Sequence, residues 1–210
     1  MTNFKINIYS DTCYIGKRRL DRAISLLPKT YPKGRDDTFT FTWLPHILHP
    51  SAPATGVPLL GIMRSRLGDD LASKWQRRLL AIGKGEGIHF GFGGKIGDTR
   101  DSHRLIEFAK VKGKQTEMVE GLVEALLREV GVRVGLDGEE VDDWFESGGG
   151  EEQVEQAIRE SEGNGKKMGV PRYVIQGAYT VDGADDPGAF LEAFADIKAT
   201  EQGHDVLELS

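Results

Sequence analysis

The sequence holds one cysteine, Cys13, the only side chain able to do thiol chemistry. Its position gives that thiol a physical advantage. Upstream, Phe4, Ile6 and Ile8 alternate with Lys5, Asn7 and Tyr9, the period-two pattern of a strand. Downstream, Leu20, Ala23, Ile24 and Leu27 fall on one face of a helix. Cys13 therefore sits where a first strand meets a first helix. A sulfur at a helix N-terminus faces unpaired backbone amides and the positive end of the helix dipole, and both favour the thiolate. Lys17 and Arg18, one turn on, are expected to add to that pull. The competing reading is an inert cysteine packed as a small apolar residue. With one cysteine no internal disulfide can form. A thiol cycle needs a second sulfur, from glutathione, a client protein or another copy of the chain.

A second position with chemical consequence is Pro171, which follows Gly169-Val170 at the entry to a later strand. Proline is tolerated there because its missing amide costs no ladder bond. It is either a trans edge proline or a cis bond that presents the Gly169 carbonyl or the Val170 amide to a ligand. Other signals are weaker. His46 and His49 lie within a stiff loop flanked by Pro45 and Pro50, with no third ligand nearby, so no metal is expected. The glycines from Gly83 to Gly97 lack phosphate-loop spacing and read as turns. No G-x-S-x-G elbow of a serine hydrolase occurs. Lys17, Arg18, Arg19 and Arg22 make a basic helix face that is either solvated or draws a substrate carboxylate. The acidic run around Asp142, Asp143, Glu151, Glu152 and Glu155 reads as solvated helix.

The elements that must position these residues follow from the same periodicities. Phe39, Phe41 and Trp43 alternate with threonines as a second strand, giving a βαβ unit with parallel strands. Helices are expected over Leu59 to Leu67, Leu71 to Ile82, the segment carrying Leu105, Phe108 and Ala109, the stripe Val119 to Val130, Leu136 to Phe145, and Val154 to Ile158. Asp98 or Thr99 is placed to cap the third of these. Arg172 to Gln176 and Tyr179 to Val181 then form an antiparallel hairpin around Gly177. Asp186-Pro187 reads as N-cap and first residue of a last helix that buries Phe190, Leu191, Phe194 and Ile197. The polar tail after Thr200 is expected to fray. The order is βαβ, a block of helices, then ββα. Two strand pairs can share one sheet, covered by two flanking helices, with the middle folded as an insertion.

The chain has 210 residues, enough for a core without disulfide staples. A formal net charge of −6 argues against nucleic acid or an anionic membrane as partner. No apolar run of about 18 residues offers a membrane span. The chain enters a strand almost at once, without a charged-then-apolar leader, so a cytoplasmic protein is expected.

Several stretches resemble the DsbA-like thioredoxin-fold family, in its FrnE branch. They are Ser10-Asp11-Thr12 followed by Cys13-Tyr14-Ile15-Gly16-Lys17-Arg18-Arg19-Leu20, then Gly93-Gly94-Lys95 with Thr99-Arg100-Asp101-Ser102-His103-Arg104-Leu105-Ile106. They continue with Gly169-Val170-Pro171, Gly177, Tyr179, Gly183-Ala184 and Asp186-Pro187. The resemblance implies an α/β fold, a thioredoxin-like βαβ…ββα core with a helical insertion between its halves. Residues 1–50 would be the first half, 51–165 the insertion, 166–202 the second half and 203–210 a tail. Relatives include disulfide oxidoreductases, 2-hydroxychromene-2-carboxylate isomerases and kappa-class glutathione transferases. Members of this branch typically read Ser-Asp-Thr-Val-Cys-Pro-Trp-Cys-Tyr-Ile-Gly, whereas here Thr12 runs straight into Cys13-Tyr14. About four residues, close to one helical turn, are missing with the attacking cysteine. Cys13 matches the second, resolving cysteine. A second gap, between Gly121 and Gly135, shortens the helical region.

The resemblance makes Pro171 the cis-proline facing the active-site cysteine, and the Val170 backbone the edge that pairs with a bound peptide or glutathione. Asp185 and Asp186 would lie near the γ-glutamyl end of glutathione, and the loop of His103 would border the cleft. Three functions follow. The first is a degenerate thiol–disulfide oxidoreductase working through the Cys13 thiolate with glutathione or a client thiol. The second is a glutathione-dependent isomerase or transferase, where Ser10 or Thr12 hydrogen-bonds the sulfur of glutathione as co-substrate. The third is a binding module on a thioredoxin scaffold that has lost its chemistry. No permanently bound cofactor is expected in any of them.

Overall fold

Strand β1, Asn3–Ser10, buries Phe4, Ile6 and Ile8 completely while Asn3, Lys5 and Asn7 face solvent, as its alternation requires. The computed structural model describes residues 1–11, 13–31, 36–50, 52–122, 133–162 and 169–207. Over these the chain runs β1, α1 (Tyr14–Thr30), β2 (Thr38–Pro45), β3 (Val57–Pro58), α2 (Leu59–Leu67) and α3 (Asp69–Gly85). It continues with β4 (Lys95–Ile96), α4 (Arg100–Val111), α5 (Gln115–Leu122), α6 (Gly138–Glu146), α7 (Glu151–Glu162), β5 (Arg172–Ile175), β6 (Tyr179–Asp182) and α8 (Pro187–Leu207).

The chain divides into two compact units, Met1–His46 with Ser102–Ser210, and Ile47–Asp101. The first holds a four-stranded sheet in the order β2-β1-β5-β6. β1 and β2 are parallel, from Asn3 opposite Thr38 to Ser10 opposite Pro45. β5 runs antiparallel to β1, with Ile8 opposite Tyr173 and Tyr9 opposite Arg172. β6 returns beside β5 through a turn at Gln176-Gly177, both at positive φ. The βαβ and ββα halves expected from periodicity thus share one sheet. β1 and β5, far apart in sequence, both alternate buried and more exposed residues along their length.

The core of this unit joins β1 to both covering helices. Phe4 stacks on Phe39 at 5.2 Å and meets Phe194 of α8 at 4.7 Å between ring centres. Tyr173 of β5 sits edge-on to Phe190 at 4.9 Å. Leu20, Ala23 and Leu27 of α1 are fully buried, with Leu105 of α4 and Met118 of α5. Edge strand β2 is closed by a side chain: Gln115 accepts from the Trp43 amide at 3.1 Å and donates to its carbonyl at 3.0 Å. That pairing satisfies the outward amide and carbonyl of Trp43, two of the backbone groups an edge strand leaves open.

The second unit contains α2, α3 and a short antiparallel pair, Val57 opposite Ile96 and Pro58 opposite Lys95. Trp75 of α3 meets Phe92 at 5.7 Å, and Gly83 lies so close to Phe90 that a side chain there would clash.

Four expectations change. The insertion expected over 51–165 does not form one body: Ile47–Asp101 is a separate unit, whereas residues from Ser102 onward, through α5, α6 and α7, belong with the sheet. Helix α8 runs to Leu207 instead of ending near Thr200. Gly83 is helical rather than the start of a loop. Lys17, expected on a basic outer face, is 4% exposed. Of the stripe Val119 to Val130, residues beyond Leu122 lie outside the described residues. Asp98, as expected, accepts from the Arg100 amide at 2.9 Å, and Asp186 accepts from Gly188 at 2.9 Å to cap α8. Among the described residues no helix is long and apolar enough to cross a membrane.

The packing of Phe194 between Phe4 and Phe39 sets a stability test. Phe194→Ala leaves a cavity in the centre of the core and is expected to cost about 3–5 kcal/mol. Urea denaturation with an unchanged slope and a lower midpoint is the expected readout.

Candidate thiol site at the start of the first helix

The antiparallel register of β1 and β5 fixes the site. Tyr9 opposite Arg172 places the exit of β1, which leads into Cys13, at the same end of the sheet as the entry to β5, which follows Pro171. The Val170–Pro171 peptide is cis. The first turn of α1 approaches this entry closely because residue 16 is glycine. A Cβ built on Gly16 would lie 2.7 Å from the Pro171 Cγ and even closer to the Tyr173 hydroxyl. No side chain fits there without displacing a proline ring or a buried phenol.

Cys13 is the N-cap residue of α1, with φ −76° and ψ 82°, and it is half-buried. Its amide donates to the Ser10 Oγ at 2.8 Å, tying the start of α1 to the end of β1. Burial pushes the Cys13 thiol above its ordinary value. Hydrogen bonds from the Ser10 side chain and the Asp11 backbone pull the other way, while the Asp11 carboxylate adds to the rise. The helix-dipole expectation of a lowered thiol is therefore overturned by desolvation. Lys17 does not help either, because its ammonium is held by Asp21 at 2.7 Å and Glu120 at 3.0 Å. Tyr173 is also pushed upward, chiefly by burial, with Cys13 and Asp21 contributing.

His103 lies in the same unit and is 3% exposed. Its Nε2 is 3.5 Å from the Asp11 Oδ1, whose side chain is 7% exposed. His103 and Ser10 both line a small internal space beside Trp43 and Pro45. The loop before α8 is tied to α1 by the Arg19 guanidinium, which donates to the Ala184 carbonyl. Asp185 and Asp186 on that loop are exposed, and Asp186 uses Oδ1 as the helix cap. Val170 is half-buried. Thr12 lies outside the described residues. The structure thus brings Ser10, Cys13 and Pro171 to one end of α1, with His103 reaching it through Asp11. Among the described residues no group of three or more His, Cys, Asp or Glu side chains is arranged to hold a metal.

Sequence reasoning missed three members of this site. Gly16 and Asp11 stand inside the stretch that carried the family resemblance, so a signal was present. Tyr173 reads as an ordinary inward strand residue, and nothing in the pattern marks it.

A βαβ half and a ββα half on one mixed sheet, with a helix-capping cysteine opposite a proline-led strand, define a thioredoxin-fold protein. The chain belongs to the family of the DSBA-like thioredoxin domain, whose model matches residues 4–195. No curated protein matches it. Among solved structures it is similar to a probable DsbA oxidoreductase from Streptomyces coelicolor, at 25% identity and TM-score 0.79, covering 92% of this chain and 89% of that one. It shares its fold with a 2-hydroxychromene-2-carboxylate isomerase, at 16% identity and TM-score 0.58, covering 96% and 98%. The same holds for the cytosolic disulfide reductase DsbM from Pseudomonas aeruginosa, solved with GSH, at 16% identity and TM-score 0.54, covering 91% and 99%.

A raised thiol is mostly protonated at pH 7, so alkylation of Cys13 by iodoacetamide is expected to be slower there than that of an unperturbed cysteine. Its rate should climb about tenfold per pH unit from pH 7 to 8 and level off only above the ordinary thiol range, near 8.5. Ser10→Ala removes a group that lowers the thiol. Its midpoint, followed by mass spectrometry of the alkylated chain, should move to higher pH.

Proposed function

We propose that this chain is a single-thiol member of the DsbA-like family that exchanges disulfides with glutathione or a client thiol through Cys13. The observation that carries the reading is the close seating of the first turn of α1, headed by Cys13, against Pro171 and Tyr173 through Gly16. Cys13 is half-buried, and Val170 precedes the cis proline at the entry to β5. A peptide-like thiol compound lying along the Val170 backbone would present its own sulfur to Cys13.

The exchange balances without an external oxidant. The Cys13 thiolate attacks one sulfur of oxidised glutathione, a Cys13–glutathione disulfide forms, the original disulfide breaks, and the departing glutathione thiolate takes up a proton. A second thiol in solution then attacks the mixed disulfide and restores Cys13. One chain with one cysteine passes a disulfide on only through such a second thiol. Asp185 is proposed to meet the amino end of the tripeptide. Asp186 offers it only the carboxylate oxygen not engaged as the helix cap.

The upward shift of the thiol favours a second reading, since a largely protonated sulfur is a slow nucleophile. There the sulfur of bound glutathione is the working group and Ser10 donates to it, as in a glutathione-dependent isomerase or transferase. A scaffold that only binds is the third reading, and lack of both adduct and glutathione binding would select it.

Incubation with oxidised glutathione at pH 8.5, followed by intact-mass measurement, separates these. One glutathione per chain, lost in Cys13→Ser, is the expected result. No adduct on a chain whose Cys13 still reacts with iodoacetamide would overturn the exchange reading. Calorimetric binding of reduced glutathione retained in Cys13→Ser would favour the isomerase or transferase reading.

A further inference from the structure

Helix α3 keeps its two acids, Asp69 and Asp70, in the first turn, where the helix dipole favours them. From Leu71 to Gly85 it has no acid and four cations, Lys74, Arg77, Arg78 and Lys84. At about 100° per residue, every exposed side chain of this stretch falls on one half of the helix. Around that half the order is Leu71, Arg78, Lys74, Ala81, Arg77, Lys84 and Leu80, so the cations fill the middle and a leucine stands at each rim. Leu71 is 55% exposed and Leu80 44%. A solvated helix face ordinarily sets opposite charges one turn apart. Here Lys74 and Arg78 repel each other across one turn, and none of the four cations has an ion-pair partner among the described residues. Asp69 instead lies 3.6 Å from Arg64 of α2.

We propose that the outward face of α3 is a docking surface for a short acidic segment of a protein partner. Carboxylates of the segment meet Lys74, Arg77, Arg78 and Lys84, and apolar side chains on either side of them cover Leu71 and Leu80. Binding relieves the repulsion among the four cations and removes two exposed leucines from water.

The distribution of charge selects this occupant. Ile47–Asp101 holds eight Lys and Arg against five Asp and Glu, in a chain that has 27 against 33, so the remainder of the chain is strongly acidic. Nucleic acid or an anionic membrane spreads negative charge over a wide area and also meets that acidic remainder, which repels it. A segment no longer than α3 need meet only the positive face, because charges more than about 8 Å away are largely screened at physiological ionic strength. A phosphate backbone would also leave Leu71 and Leu80 uncovered, whereas a mixed acidic and apolar segment covers both kinds of group.

The test is fluorescence anisotropy of a labelled helical peptide of glutamate and leucine, about as long as α3, titrated with the full chain in low salt and again at about 300 mM salt. Saturable binding that weakens on the order of tenfold in the higher salt is the expected result. Lys74→Glu combined with Arg78→Glu should weaken low-salt binding on the order of tenfold. Leu71→Ser combined with Leu80→Ser should weaken it on the order of threefold and leave the salt dependence in place. If the charge-reversed chain does not fold, Lys74→Gln combined with Arg78→Gln takes its place. No saturation in low salt, equal binding of a lysine–leucine peptide, or unchanged binding by the charge-altered chain overturns the proposal. Tighter binding to phosphatidylserine vesicles or to a single-stranded oligonucleotide than to the peptide overturns it as well, since the occupant is then not a protein segment. Cys13→Ser should bind the peptide as the wild type does, so failure of this surface and failure of the exchange reading are separately visible.

Discussion

The functional end of this molecule depends on one close approach, that of the first turn of α1 to the start of β5. Helices packed on a sheet ordinarily stand off from it, with side chains filling the gap. Here residue 16 contributes no side chain, so the Pro171 ring and the Tyr173 hydroxyl occupy the space a Cβ would take. Everything chemical at this end follows from that contact. It seats the first turn of α1, headed by Cys13, against the entry to β5 and the Tyr173 phenol.

The same closeness decides the electrostatics. An exposed thiol at a helix N-terminus gains from the dipole and from unpaired amides. Burial removes water from the sulfur, and in this site the loss outweighs the gain. The nearest lysine cannot reverse the balance because two carboxylates already hold it. The Asp11 carboxylate lies 3.5 Å from the buried imidazole of His103. Besides burial, the groups that shift the sulfur are Ser10, at the end of β1, and Asp11, in the turn that follows.

Much of the fold was legible in the sequence because local periodicity and tertiary role agree there. Alternation in Phe4-Ile6-Ile8 and the spacing of Leu20, Ala23 and Leu27 gave β1 and α1, and Asp186-Pro187 gave the start of α8. The position of Cys13 between strand and helix, and of Pro171 at a strand entry, was equally local. What failed was non-local. Lys17 looks like any surface lysine until Glu120, over a hundred positions away, closes on it. The division at Asp101 leaves no mark in helical periodicity, since helices on both sides of it carry ordinary apolar faces. The direction of the thiol shift needed the burial of Cys13, which no spacing rule supplies. His103 was seen as a bordering residue of the cleft, but its meeting with Asp11 is a property of the folded chain alone.

The most direct test of the close approach is the unfolding free energy of Gly16→Ala, measured by urea denaturation. At an open helix position this change stabilises a protein by about 0.5–1 kcal/mol, through helix propensity and a less flexible unfolded chain. Against a rigid proline ring 2.7 Å from the new Cβ, the sign reverses, and a loss of about 1–3 kcal/mol is expected. A Gly16→Ala protein as stable as the wild type, or more so, would show that α1 and the Pro171 entry do not meet as described, and the site built on that contact would fall with it.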